Sequence, residues 1–190
     1  MYDYIATVAW LRAQPWVDST RICITGGSYG GYVTALALTA GAGYFTHGIA
    51  EYSVTDWQLY DSHYTERYMD TPADNPEGYR EASVMTHAHK YHGVLRLVHG
   101  TSDDNVHMQN SLELAWALQQ AGKSFRFMPY PRVRHGVEDV HQQLARVAVG
   151  QLEHPATRLV EAAALLRVPD LGRHPARPLG REAQRGPGDL

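Results

Sequence analysis

Apolar positions change their period several times along this chain, and each change marks an element. Over residues 4–12, Ile5, Val8, Ala9 and Leu11 recur at roughly helical spacing, and Pro15 ends the helix they predict. Residues 21–25 (RICIT) are a short β-rich run entering Gly26 and Gly27, which predicts a strand. Residues 30–40 predict a helix closed by Gly41 and Gly43. Residues 47–54 predict a second strand. Residues 94–98 (VLRLV) are almost unbroken in apolarity, the pattern of a strand covered on both faces. Residues 106–121 predict a helix stopped by Gly122, and residues 124–130 (SFRFMPY) alternate as a strand does. Strands alternating with helices predict an α/β fold, a mostly parallel sheet flanked by helices. Residues 57–91 break the rhythm. They are rich in aromatic and charged side chains, contain Pro72 and Pro76, and read as a helical insertion over the sheet edge.

Composition narrows the picture. The chain has 190 residues, 44% of them hydrophobic, enough for one buried core. Lys and Arg number 17 against 20 Asp and Glu, so the net charge is -3 and nothing draws the whole chain to nucleic acid or an anionic membrane. No apolar run approaches the roughly 18 residues that would predict a membrane span. Cys23 is the single cysteine, so no disulfide forms within the chain. The first residues lack the basic flank and long apolar stretch of a signal peptide and read as a helix already under way. Late in the chain the composition shifts. No Phe, Tyr or Trp follows Tyr130, and five of the ten prolines lie after Gly150. The expected organisation is therefore one α/β domain over residues 1–150 and an atypical, partly disordered tail over 151–190.

Chemistry enters at Gly26-Gly27-Ser28-Tyr29-Gly30, a G-x-S-x-G sequence between a predicted strand and a predicted helix. In that setting a sharp turn lifts the serine hydroxyl above the sheet, and the helix N-terminus turns the Tyr29 N–H toward a developing oxyanion. An ordinary Gly-rich turn is the plain alternative. A phosphate loop is another, but no Gly-Lys-Ser/Thr follows. The rest of a catalytic triad is available in the required order. Asp103 follows the VLRLV strand within HGTSDDN, and His135 follows SFRFMPY within a loop ending His-Gly. All three positions fall at strand ends, on the edge where open parallel sheets place their ligands.

With these residues in hand, the chain resembles the prolyl oligopeptidase family, and within it the dipeptidyl peptidase IV branch. The resemblance is carried by GGSYGGYVT, VTDWQLYDSHYTERYM, HGTSDDNVHMQN and the YP…HG stretch, which together span about residues 21–136. It implies an α/β-hydrolase fold and a serine peptidase that cleaves after proline or alanine. Ser28 is then the nucleophile, His135 the general base and Asp103 its orienting acid. The Tyr29 N–H is one oxyanion donor. Val54, Trp57, Tyr60, Tyr64 and Val106 correspond to the proline pocket, and Asn105 to the ligand of the carbonyl before that proline. Flat aromatic walls suit a pyrrolidine ring, although plain core packing is also open to them. The implied partner is a peptide with proline at its penultimate position, and neither cofactor nor metal is implied.

The departures matter as much. The resemblance implies an upstream β-propeller, the first strands of the hydrolase sheet and a second oxyanion donor, a tyrosine; all are expected before Met1. The aromatic-rich closing helix expected after Gly136 looks replaced, so a truncated or frame-shifted product is expected. An esterase or aminoacyl peptidase on the same triad is the rival enzyme reading, and an inactive fragment the rival without activity. Two weaker signals remain. His87, His89 and His92 offer imidazoles but no nearby carboxylate or thiol to complete a metal set, and read as a solvated helix. Cys23 reads as a small buried hydrophobe.

Overall fold

The apolar run at 94–98 does become a strand, and its neighbours explain why it carries so little polarity. In the computed structural model, which describes residues 1–136 and 166–168, five parallel strands form one sheet. They are β1 (Cys23–Gly27), β2 (His47–Glu51), β3 (Val94–Gly100), β4 (Arg126–Tyr130) and β5 (Leu166–Val168), in the spatial order β4-β3-β2-β1-β5. Strands β2 and β3 pair in register from His47 with Val94 to Glu51 with Val98. Leu95 and Leu97 are fully buried. Helix α1 (Tyr2–Arg12) precedes the sheet, α2 (Tyr29–Leu38) connects β1 to β2 and packs on both, and α5 (Gln109–Gln120) connects β3 to β4. A parallel sheet requires such crossovers, and their apolar sides close its core.

The predicted elements recur with shifted ends. The strand expected at 21–25 runs instead from Cys23 through Gly27. Gly26 and Gly27 extend the ladder to Ala50 and Glu51 rather than turning away from it. The second expected strand stops at Glu51, where Tyr52 takes a left-handed φ of 35°. The helix expected from Val106 begins at Gln109, because the N–H groups of Asn105 and Val106 are committed to the Asp103 carboxylate.

The insertion over 57–91 is helical. It comprises a 3-10 turn (Trp57–Leu59), α3 (Ser62–Met69), α4 (Pro76–Ala82) and a second 3-10 stretch (Met85–Lys90). Its caps are written in the sequence. Asp61 accepts from the Tyr64 N–H to start α3, and Asn75 accepts from the Gly78 N–H to start α4, with Pro76 in its first turn. His87 and His89 lie on the second 3-10 stretch, and the His87 Nε2 meets the Glu81 carbonyl at 2.9 Å. Among the described residues no three His, Cys, Asp or Glu side chains gather to hold a metal, and no helix is long and apolar enough to cross a membrane.

Strand β5 was not foreseen. It pairs with β1 from Ile24–Leu166 to Gly26–Val168 and so covers the β1 edge opposite β2. The remainder of the tail expectation, and the closing helix expected after Gly136, lie outside the described residues.

Candidate active site

The turn from β1 into α2 sets the site. Ser28 caps α2 with φ 55° and ψ -119°, a conformation that a residue with a Cβ rarely adopts. Such backbone costs on the order of 1–3 kcal/mol and persists only where the surroundings over-determine it. Here they do. The Ser28 N–H donates to the Glu51 carbonyl at 3.0 Å, and the Ser28 carbonyl accepts from the Tyr32 N–H at 3.1 Å. A Cβ at Gly26 would lie 2.6 Å from the Gly30 backbone, so only glycine lets the turn close this tightly. A Cβ at Gly27 would run into the Tyr52 side chain.

The loops after β3 and β4 are laced together, and this brings two distant segments to the serine. The Thr101 N–H donates to the Tyr130 carbonyl (2.9 Å), the Ser102 N–H to the Val133 carbonyl (3.0 Å) and the Arg132 N–H to Thr101 Oγ1 (3.0 Å). His135 Nε2 then stands 3.0 Å from Ser28 Oγ, and His135 Nδ1 stands 2.9 Å from Asp103 Oδ2. A carboxylate only accepts, so Nδ1 carries the hydrogen and donates it. Nε2 is then left bare to accept from the Ser28 hydroxyl. The edge of the Tyr52 ring meets His135 at 4.8 Å and 71°. The Asp103 side chain is fully buried, whereas His135 keeps 17% exposure.

Asp103 is ionised by design of its surroundings. Burial pushes its carboxyl upward. The hydrogen bond from His135, the His99 N–H beside the carboxylate, the charge His135 carries when protonated and the Asn105 N–H outweigh burial and hold it well below the usual carboxylate range. Its other oxygen, Oδ1, accepts from the Asn105 and Val106 N–H groups, both at 3.0 Å.

Beside the serine lies an aromatic cluster. Tyr29, the residue after Ser28, has its ring 5.8 Å from Trp57. Trp57 stacks on Tyr64 at 6.0 Å and 22°, and meets Tyr60 edge-on at 6.0 Å. Tyr60 and Tyr64 also meet edge-on, at 5.5 Å. The Tyr60 hydroxyl donates to Asn105 Oδ1 at 3.0 Å, tying the insertion to the β3 loop. Val54 and Val106 are buried in the same hydrophobic core as Trp57. Of the residues expected to line a pocket, Trp57, Tyr60 and Tyr64 come together in ring contact, and Tyr29 links them to the turn at Ser28.

Three contributors escaped the sequence reading. Tyr32 packs edge-on against Trp57 at 5.0 Å and donates its hydroxyl to the Ala82 carbonyl. Asn110 is fully buried; its Oδ1 accepts from the Thr55 N–H at 2.9 Å, and its carbonyl accepts from Thr55 Oγ1 at 2.7 Å. It thereby fixes the segment that leads into Trp57. His99 lies buried beneath Asp103. A buried polar residue at a strand end was the available signal for His99. For Tyr32 and Asn110, which look like ordinary helix positions, the sequence carries none.

Known proteins share this sequence and fold. The profile of the prolyl oligopeptidase family matches residues 1–149. Dipeptidyl peptidase 4 of Bos taurus is 45% identical over 147 residues, covering 75% of this chain and 19% of its own length. Prolyl endopeptidase FAP of Homo sapiens is 45% identical over 138 residues, covering 71% of this chain and 18% of its own. The crystal structure of Porphyromonas gingivalis dipeptidyl peptidase 4 superposes with a TM-score of 0.73 at 40% identity, over 78% of this chain and 22% of that one. The chain thus spans about a fifth of the length of the relatives it matches.

Proposed function

This chain belongs to the prolyl oligopeptidase family, in its dipeptidyl peptidase IV-like part, and from that premise we propose that it hydrolyses peptide bonds after proline or alanine through Ser28, His135 and Asp103. The observation that carries the reading is the unbroken hydrogen-bonded line from Ser28 Oγ through His135 to Asp103. As Ser28 Oγ bonds to the scissile carbonyl carbon, its proton passes to His135 Nε2. The carbonyl oxygen becomes an oxyanion at the N-terminus of α2, where the Tyr29 N–H receives it. His135 then gives its proton to the departing amine, the C–N bond breaks and an acyl-serine remains. Water repeats the sequence and releases the acid. Asp103 keeps the imidazole in the tautomer this requires and stabilises it while charged.

Substrate choice rests on the rings. Trp57, Tyr60 and Tyr64 offer flat apolar walls that enclose a pyrrolidine without asking it for polar partners. Asn105 Oδ1 is engaged by Tyr60, which leaves the Asn105 amide nitrogen to donate to a substrate carbonyl.

The test is active-site labelling of the purified chain with a fluorophosphonate, which reacts only with an activated serine. Labelling is expected at Ser28 and nowhere else, and it should vanish in Ser28→Ala. Absence of labelling in a folded chain, or labelling that survives Ser28→Ala, would refute the assignment.

A further inference from the structure

We infer that His99 is a positioning residue for Asp103, locking the carboxylate that orients His135; the inference rests on the triad proposed above. His99 is the penultimate residue of β3 and is fully buried. Its Nε2 lies 2.8 Å from the Val106 carbonyl and 3.3 Å from Asp103 Oδ2. Both are acceptors, so Nε2 carries the hydrogen. The shorter contact is the hydrogen bond proper. The longer one sets the positive end of the same N–H beside the carboxylate. Nδ1 is then bare and accepts from the Ser111 hydroxyl at 2.8 Å. Every polar atom of the ring is thus engaged, and its tautomer and orientation are fixed.

The consequence lies in the turn that holds Asp103. The Val106 N–H grips Asp103 Oδ1 while the Val106 carbonyl is gripped by His99. One ring therefore ties the end of β3 to both ends of the 103–106 turn, and Ser111 of α5 holds that ring in place. Without the His99 N–H, the Val106 carbonyl loses its partner in a buried place and the turn relaxes. Asp103 Oδ2 then drifts relative to His135, and misplacement on the ångström scale is costly in such sites.

Two substitutions separate this role from mere filling of space. In Gln, the side-chain nitrogen stands as many bonds from Cβ as His99 Nε2 does, so His99→Gln keeps the donor facing Val106 and Asp103. His99→Asn keeps only an acceptor within reach of Ser111. The readouts on the 190-residue chain are the rate of fluorophosphonate labelling at Ser28 and the NMR resonance of the His135 Nδ1 hydrogen. His99→Asn is expected to slow labelling by about tenfold and to shift or broaden that resonance, and His99→Gln to recover most of both. Wild-type rate and an unmoved resonance in His99→Asn would overturn the inference. So would equal impairment in the two variants, which would assign His99 to packing alone. If His99→Asn does not fold, Ser111→Ala takes its place: freeing the ring should move the same resonance, and an unmoved one counts against the proposal. If the unaltered chain is not labelled at all, the triad reading fails, and the resonance in the variants still decides the role of His99.

Discussion

At Ser28 the backbone bears a conformational cost in exchange for a hydroxyl directed at His135. Glycine adopts φ 55° without a Cβ penalty, whereas alanine removes the hydroxyl and keeps the strain. Ser28→Gly is therefore expected to be more stable than Ser28→Ala by about 1 kcal/mol, read from chemical denaturation, although both lose labelling. Asp103 makes a pH-dependent contribution. Unfolded, its carboxyl titrates at the ordinary 3.8, and folded it is held lower. The stabilisation is then complete above the ordinary value, fades as the pH drops below it and is lost as the pH falls through the folded value. The gap in melting temperature between wild type and Asp103→Asn should be wide near pH 7 and narrow below about pH 4. A gap independent of pH would show that the carboxylate charge adds nothing to the fold.

Among elements, selectivity is proposed to lie in the insertion between β2 and β3, and the nucleophile in the turn from β1 into α2. Tyr64 lies on α3 with its ring stacked on Trp57, half exposed and available to a substrate. Tyr64→Ala is expected to cost about 2 kcal/mol of transition-state binding for a proline-bearing dipeptidyl phosphonate, with little effect on a small fluorophosphonate. Equal losses on both probes would mean that Tyr64 supports the fold rather than the pocket. The sequence announced these elements through caps and period: Asp61, Asn75 and Pro76 mark the helix starts, and VLRLV marks the buried strand. It misjudged ends where hydrogen bonds outrank periodicity. Gly26 and Gly27 stay in the ladder because Ala50 and Glu51 pair with them, and α5 starts late because Asp103 takes the preceding N–H groups.

For the molecule as a whole, the exposed flank of the sheet is decisive. Strand β5 covers the β1 edge from Ile24 to Gly26. A chain cut back before Leu166 would leave that edge unpaired beside the nucleophile turn, so it should associate on sedimentation and denature more readily. An unchanged monomer of equal stability would show that β5 is dispensable. Size also bears on turnover. The matched region spans 19% of the length of dipeptidyl peptidase 4 of Bos taurus, and the resemblance implies a second oxyanion donor outside these residues. Assayed as 190 residues on a Gly-Pro chromogenic substrate, it should turn over at least 10²-fold more slowly than a chain extended to the relatives' length, since one missing oxyanion donor alone costs about 10²–10³ in rate. Comparable turnover would mean that the site is complete here.

Local chemistry was enough to announce a strand-turn-helix at Ser28, because only glycines on either side permit such a turn, and to nominate Asp103 and His135, because parallel sheets gather their loops along one edge. The aromatic block between β2 and β3 likewise announced itself through composition. No local signal could reveal that Tyr52 fills the space over Gly27 and meets His135, that Asn110 anchors the segment before Trp57, or that His99 grips the turn holding Asp103. Each joins elements through buried contacts, two of them between residues tens of positions apart in the chain. Such partnerships come into being when the sheet closes, since burial removes water as the competing partner and leaves each polar group whichever neighbour the packing supplies.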